Sequence, residues 1–107
     1  MKQINLIITL ENLKDIVSGK KVEEYRRPSR YNASLMFEKN SEDGILDPRK
    51  DITHVQFFAG YRKDRKHAIV EVDKIEFNVF EKFIPEGMKP GSNAITIFIR
   101  RVVEHNL

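Results

Sequence analysis

The chain contains no cysteine, which excludes disulfides, thiolate catalysis and cysteine-ligated zinc. Histidine is scarce too. His54, His67 and His105 lie far apart without any usual ligand spacing, so no metal site is expected. No apolar run approaches the roughly 20 residues that span a bilayer, and the N-terminal segment lacks a signal-peptide layout. No membrane contact and a cytoplasmic location are therefore expected. The Pro/Gly-rich stretch from Ile84 to Asn93 has neither Walker nor dinucleotide spacing, and no G-x-S-x-G pattern occurs. No cofactor is expected. Internal repeats and low-complexity segments are also absent.

What remains is an ordinary globular composition. With 107 residues, 40% hydrophobic and 33% charged, the chain can bury one core and has no room for a second, so residues 1–107 form a single domain. The net charge of +3 permits a polyanionic partner without demanding one.

The first ten residues alternate Ile4, Leu6, Ile8 and Leu10, as a strand with one face on the core would. Leu13, Ile16 and Val17 then fall on one helical face, with Thr9 or Asn12 able to cap the helix start. Gly19 stands where a helix stops, because a residue without Cβ takes the left-handed conformation cheaply. Val22 to Arg27 reads as a strand that ends at Pro28, with Val22, Glu24 and Arg26 on one face and Glu23 and Tyr25 on the other. Lys21 lies in or beside the turn, and alternation does not fix where it points.

Ser29 to Phe37 fits a short helix with Pro28 at its start, although Ala33, Leu35 and Phe37 also fit a strand. Glu38 to Thr53 is rich in turn formers and reads as a loop. His54 to Ala59 and His67 to Phe77 are strands, with Ala68, Val70 and Val72 on one face of the second and Ile69, Glu71, Asp73 and Ile75 on the other. They flank a basic hairpin loop, Gly60 to Lys66. Val79 to Phe83 reads as a short helical or irregular turn. Ala94 to Val103 is the strongest strand, with Ile95, Ile97 and Ile99 on one face and Phe98 on the other, so burial from both sides is expected.

Three groups of residues carry possible chemistry. Lys21, Glu24 and Arg26 concentrate charge beside a helix C-terminus. Arg27 to Tyr31, including Arg30, set basic and aromatic groups directly after it, a combination that can hold phosphates and stack a base. The hairpin loop carries Arg62, Lys63, Arg65 and Lys66 beside Tyr61. Each also has a plain reading. Charge after a helix stop and paired arginines are usual on solvated surfaces, and cations at a hairpin end keep strand edges from pairing with neighbours. Glu23 and Glu24 fall on opposite strand faces and make a poor acid/base pair. Glu71 and Asp73 share a face but read as surface acids.

Gly19, Lys21, Glu24 and Arg26 match the G-x-K-x-x-E-x-R signature of the ASCH domain, and the order of opening strand, helix, motif strand, middle hairpin and closing strand resembles one whole domain of that family. The resemblance implies an α+β fold, a PUA-like small β-barrel with one or two flanking helices. It implies two functions of different class. The first is an RNA- or nucleotide-binding module whose cleft lies between the motif turn and the middle hairpin. There Lys21 and Arg26 would hold an anionic or carbonyl group, Glu24 would orient Lys21 or a base amino group, and Tyr61 would stack; the basic and aromatic pattern of their own segments adds Arg30 and Arg62 as expected phosphate contacts. The alternative is hydrolysis of N4-acetylcytidine or another small nucleoside or RNA substrate, with Lys21 and Glu24 catalytic. Relatives with the deacetylating activity carry Thr where this chain has Glu24, which puts the binding module first. The implied partner is RNA or a nucleoside or nucleotide, and the sequence points to no protein partner.

Overall fold

Why the chain turns where it does is clearest at its first helix. In a computed structural model describing residues 2–40, 42–82, 84–85 and 87–107, strand β1 (Lys2–Ile8) runs into helix α1 (Leu10–Val17). Thr9 caps it, its hydroxyl accepting from the Asn12 amide at 3.2 Å. Leu13 and Ile16 are fully buried against the sheet, each stabilising the fold by roughly 2 kcal/mol. Gly19 stops the helix at φ +82°, with its amide on the Ile16 carbonyl at 3.1 Å. No helix is long and apolar enough to cross a membrane among the described residues.

Strand β2 (Glu23–Arg26) follows, then helix α2 (Arg30–Met36). The helical alternative for this segment is the one adopted. Ser29 caps α2 at 3.1 Å from the Asn32 amide, and Pro28 stands just before the cap. Met36 is fully buried, whereas Tyr31 faces solvent.

The segment expected as a loop is not all loop. Phe37–Lys39 (β3) and Leu46–Pro48 (β4) pair antiparallel into a two-stranded ribbon. Its turn is closed by the Asn40 amide on the Ile45 carbonyl and the Gly44 amide on the Asn40 carbonyl, at 2.8 and 2.9 Å. Turn formers were legible there, but a three-residue strand leaves too short an alternation to detect.

The long strands are β5 (Ile52–Ala59), β6 (His67–Phe80) and β7 (Ser92–His105). With β1 parallel to β5 and the remaining pairs antiparallel, they form one five-stranded sheet in the order β1-β5-β6-β7-β2. The turn expected over Val79 to Phe83 is corrected in part, since β6 continues through Phe80 by pairing with Ser92, while Phe83 lies outside the described residues.

Ile75 also departs from its expected face. It pairs with Ile97 and is buried, because the register shifts at Asp73 and a bulge moves every later side chain to the opposite face. On β7 the register leaves Val103 and Arg100 over, and Arg100, beside the β6 bulge, meets the unpaired Asp73 as an ion pair at 2.7 Å.

The core lies between α1 and one face of this sheet: Ile4, Leu6, Val55, Phe57, Val70, Ile95 and Ile97 close over Leu13 and Ile16. β7 is buried on both sides over Ala94 to Ile97, with Ala94 and Thr96 covered opposite Ile95 and Ile97, whereas Phe98, expected to carry the second buried face, is half-buried. The sheet is open. β1 and β2 are its outer strands, and no ladder joins them among the described residues.

Candidate functional site

The turn after α1 is fixed at both ends. The Lys21 amide donates to the Asp15 carbonyl at 3.0 Å, and the Val22 carbonyl accepts from the Ile99 amide at 2.9 Å. From there β2 runs antiparallel to β7, with Glu24 opposite Ile97 and Arg26 opposite Ile95. Because Ile95 and Ile97 are core residues, the same alternation carries two charged side chains to the buried face.

Glu24 is only 5% exposed, and a carboxylate so far from water needs partners. It has two. Lys21 Nζ lies 3.1 Å from one oxygen and an Arg26 guanidinium nitrogen 3.4 Å from the other. The same end of Arg26 donates to the Ile7 carbonyl of β1. Burial lowers the Arg26 pKa, and the charge of Glu24 opposes that shift. Removing Glu24 would leave two mostly buried cations facing each other, a loss of roughly 3 kcal/mol by the standard of broken buried pairs. Alternation did not fix where Lys21 points. It points to Glu24, which Arg26 also holds.

The opposite face of β2 presents Glu23 and Tyr25. The Tyr25 hydroxyl donates to the Glu23 carboxylate, and its ring meets Phe80 edge-on with centroids 5.6 Å apart. Lys21 Nζ lies 5.7 Å from the ring centroid. Burial, then the hydrogen bond and negative charge of Glu23, push the Tyr25 pKa up to about 12, so the side chain is a neutral donor at ordinary pH.

Tyr25 is also common to three neighbouring hollows. One of about 410 Å³ reaches back to Asp15, Lys20 and Lys21. The next, about 500 Å³, includes Phe80, Lys82 and Ile84, and shares Glu23 and Pro85 with the first. The third, about 400 Å³, includes Arg26, Arg27 and Lys89. They amount to a shallow groove running past one aromatic ring. Lys20, Lys21, Arg26, Arg27, Lys82 and Lys89 line it against the acids Asp15 and Glu23. Such a surface can accept an extended anion and offer a ring to a planar group.

The other sequence-selected residues lie elsewhere. Arg30 opens α2, is exposed and lines none of these hollows. Tyr61, 83% exposed, and Arg62 belong to the β5–β6 hairpin and line a separate hollow of about 420 Å³. That hollow shares no residue with the three around Tyr25. Thus Lys21, Glu24 and Arg26 are brought together, while Tyr61, Arg62 and Arg30 do not join them. The aromatic ring beside Lys21 is Tyr25, which alternation had set on the face away from Glu24. Lys82 and Lys89 join the groove only through the fold. Glu71 and Asp73, the better-placed acid pair, are taken up by Arg100 and Arg101.

No family model, curated protein or solved structure matches this chain.

Proposed function

We propose that this protein is an RNA- or nucleotide-binding module of the ASCH type, with the groove past Tyr25 as its binding surface. The fold would then be a PUA-like barrel whose last seam, between β1 and β2, is bridged by Arg26 instead of a ladder. The observation that carries the reading is the Tyr25 groove itself, where the Tyr25 ring, backed by Phe80, lies among six cations and two acids. Successive phosphates of a single strand would meet Lys20 and Lys21 at one end and Arg27 and Lys89 at the other. A base would rest on the Tyr25 ring, whose hydroxyl is already held by Glu23. Glu24 would orient Lys21 and Arg26 from below.

Arg27 and Lys89 are exposed, so replacing both by alanine leaves the fold intact and isolates the electrostatic term. Fluorescence anisotropy with a labelled single-stranded RNA tests this. The double variant should bind at least about tenfold more weakly, with a salt slope reduced by about two. Wild-type affinity and slope in that variant would sink the reading.

A second reading, hydrolysis of N4-acetylcytidine or a similar nucleoside amide, rests on one observation: Lys21 lies 3.1 Å from a buried carboxylate that can exchange a proton with it. It ranks second because Glu24 is also held by Arg26. Chromatographic assay of N4-acetylcytidine with Lys21→Ala as control decides it. Lys21-dependent release of cytidine would make the protein an amidohydrolase.

A further inference from the structure

The hairpin between β5 and β6 is fastened far more firmly than a solvated tip requires. Its base is closed by the Ala59 amide on the Lys66 carbonyl at 2.9 Å, and its turn by the Arg65 amide on the Arg62 carbonyl at 3.2 Å. The Arg65 guanidinium lies over the Phe58 ring, 3.8 Å from its centroid, and donates to the Gly60 carbonyl at 3.2 Å. Asn106 ties the end of the chain to the same loop. Its side-chain oxygen accepts from the His67 amide at 2.7 Å, and its carbonyl from Lys66 Nζ at 3.2 Å.

Against this braced frame, the outward side chains are little engaged. Tyr61 is 83% exposed, and among the described residues the Arg62 side chain meets only Asp64, at 3.5 Å with both side chains in solvent. Such a contact contributes little and yields readily to a stronger anion. Lys63 is exposed and lines the same hollow. An ordered loop that holds a ring and two available cations over a hollow of about 420 Å³ has met in advance the ordering cost of binding.

We propose that this hairpin is a second contact for single-stranded RNA, with Tyr61 stacking on a base and Arg62 and Lys63 meeting phosphates. The inference rests on the groove reading only in joining both contacts to one strand. The two surfaces stand at opposite ends of β6, the hairpin at its first residue, His67, and the Tyr25 ring against its last, Phe80. Thirteen strand steps put them up to roughly 40 Å apart along the strand. A short oligonucleotide therefore occupies one site, and a long strand can engage both, where the second contact gains from effective concentration.

The experiment measures anisotropy for RNA of about four and about twenty nucleotides, using wild type, a hairpin variant (Tyr61→Ala, Arg62→Ala, Lys63→Ala) and the groove variant (Arg27→Ala, Lys89→Ala). All five positions are exposed, and circular dichroism checks folding. The expected result is that the hairpin variant loses at least about tenfold in affinity for the long RNA, its salt slope falling by about two, while part of its tetranucleotide binding survives at the groove. Wild-type affinity and slope for long RNA in the hairpin variant would overturn the hairpin contact and leave the groove standing. Loss confined to the hairpin variant, with the groove variant unaffected, would support the hairpin and overturn the groove. Binding of neither RNA by wild type would overturn both.

Discussion

The Arg26 guanidinium on β2 donates to the Ile7 carbonyl on β1, joining the two outer strands of a sheet that has no ladder between them among the described residues. The same guanidinium holds Glu24 at 3.4 Å. Signature positions that read from the sequence as a ligand site are therefore also part of the frame that brings the first and last strands of the sheet together.

This double duty makes Arg26 hard to replace, even by lysine. Both contacts come from one terminal guanidinium nitrogen, which the ammonium on lysine's shorter stem does not reach far enough to replace. Arg26→Lys should lower stability by roughly 2 kcal/mol, the value of a hydrogen bond involving a charged group, measured by urea denaturation. Amide exchange in β1 should quicken at the same time. An unchanged midpoint would mean that the bridge contributes nothing to the seam.

Tyr25 gives a pH signature. Its folded pKa of about 12 lies above the ordinary 10.0, so the native state favours the neutral phenol. The resulting stability is fully present below pH 10 and is lost as pH rises toward 12. Alkaline denaturation of wild type should fall off across that window more steeply than that of Tyr25→Phe, which has no hydroxyl to ionise. Glu23→Gln should lower the Tyr25 midpoint in a phenolate absorbance titration only in part, because burial is the leading cause of the shift. A midpoint near 10 in wild type would contradict the buried pairing.

Thr96 stands opposite Tyr25 in the ladder, 1% exposed, with a hydroxyl that has no hydrogen-bond partner among the described residues. A buried polar group in that state costs free energy that a methyl of the same shape does not. Thr96→Val should raise stability by about 1 kcal/mol, seen as a higher urea midpoint with unchanged slope. Destabilisation would show that the hydroxyl is satisfied after all.

The parts of the fold that local chemistry dictates were legible in the chain. Thr9 capping, the Leu13–Ile16 stripe and the stop at Gly19 gave α1 and the turn after it. Ile95, Ile97 and Ile99 with Phe98 across from them read as a strand buried on two sides, although the residues that cover the second face are Ala94 and Thr96. What was not legible depends on register between distant segments. Asp73 looks like any outward residue of β6, and only its mismatch against Arg100 on β7 reveals the bulge that turns Ile75 inward.

The site divides in the same way. Lys21, Glu24 and Arg26 lie within one turn and one short strand, so their meeting could be expected from spacing. The placement of Tyr61 depends on where β5 and β6 end relative to β2, which no local pattern encodes. Alternation had correctly separated Tyr25 from Glu24, but nothing near Tyr25 in sequence announced Phe80, Lys82 and Lys89 as its neighbours.

The most direct test of the groove is to find where a short strand lies. Photocrosslinking of a 4-thiouridine tetranucleotide to the wild-type protein, followed by peptide mapping, should place adducts on the segment from Lys20 to Arg27, with Tyr25 as the principal site. Tyr25→Leu should lose that adduct. Adducts confined to other segments, or none above a denatured control, would contradict the groove as the binding surface.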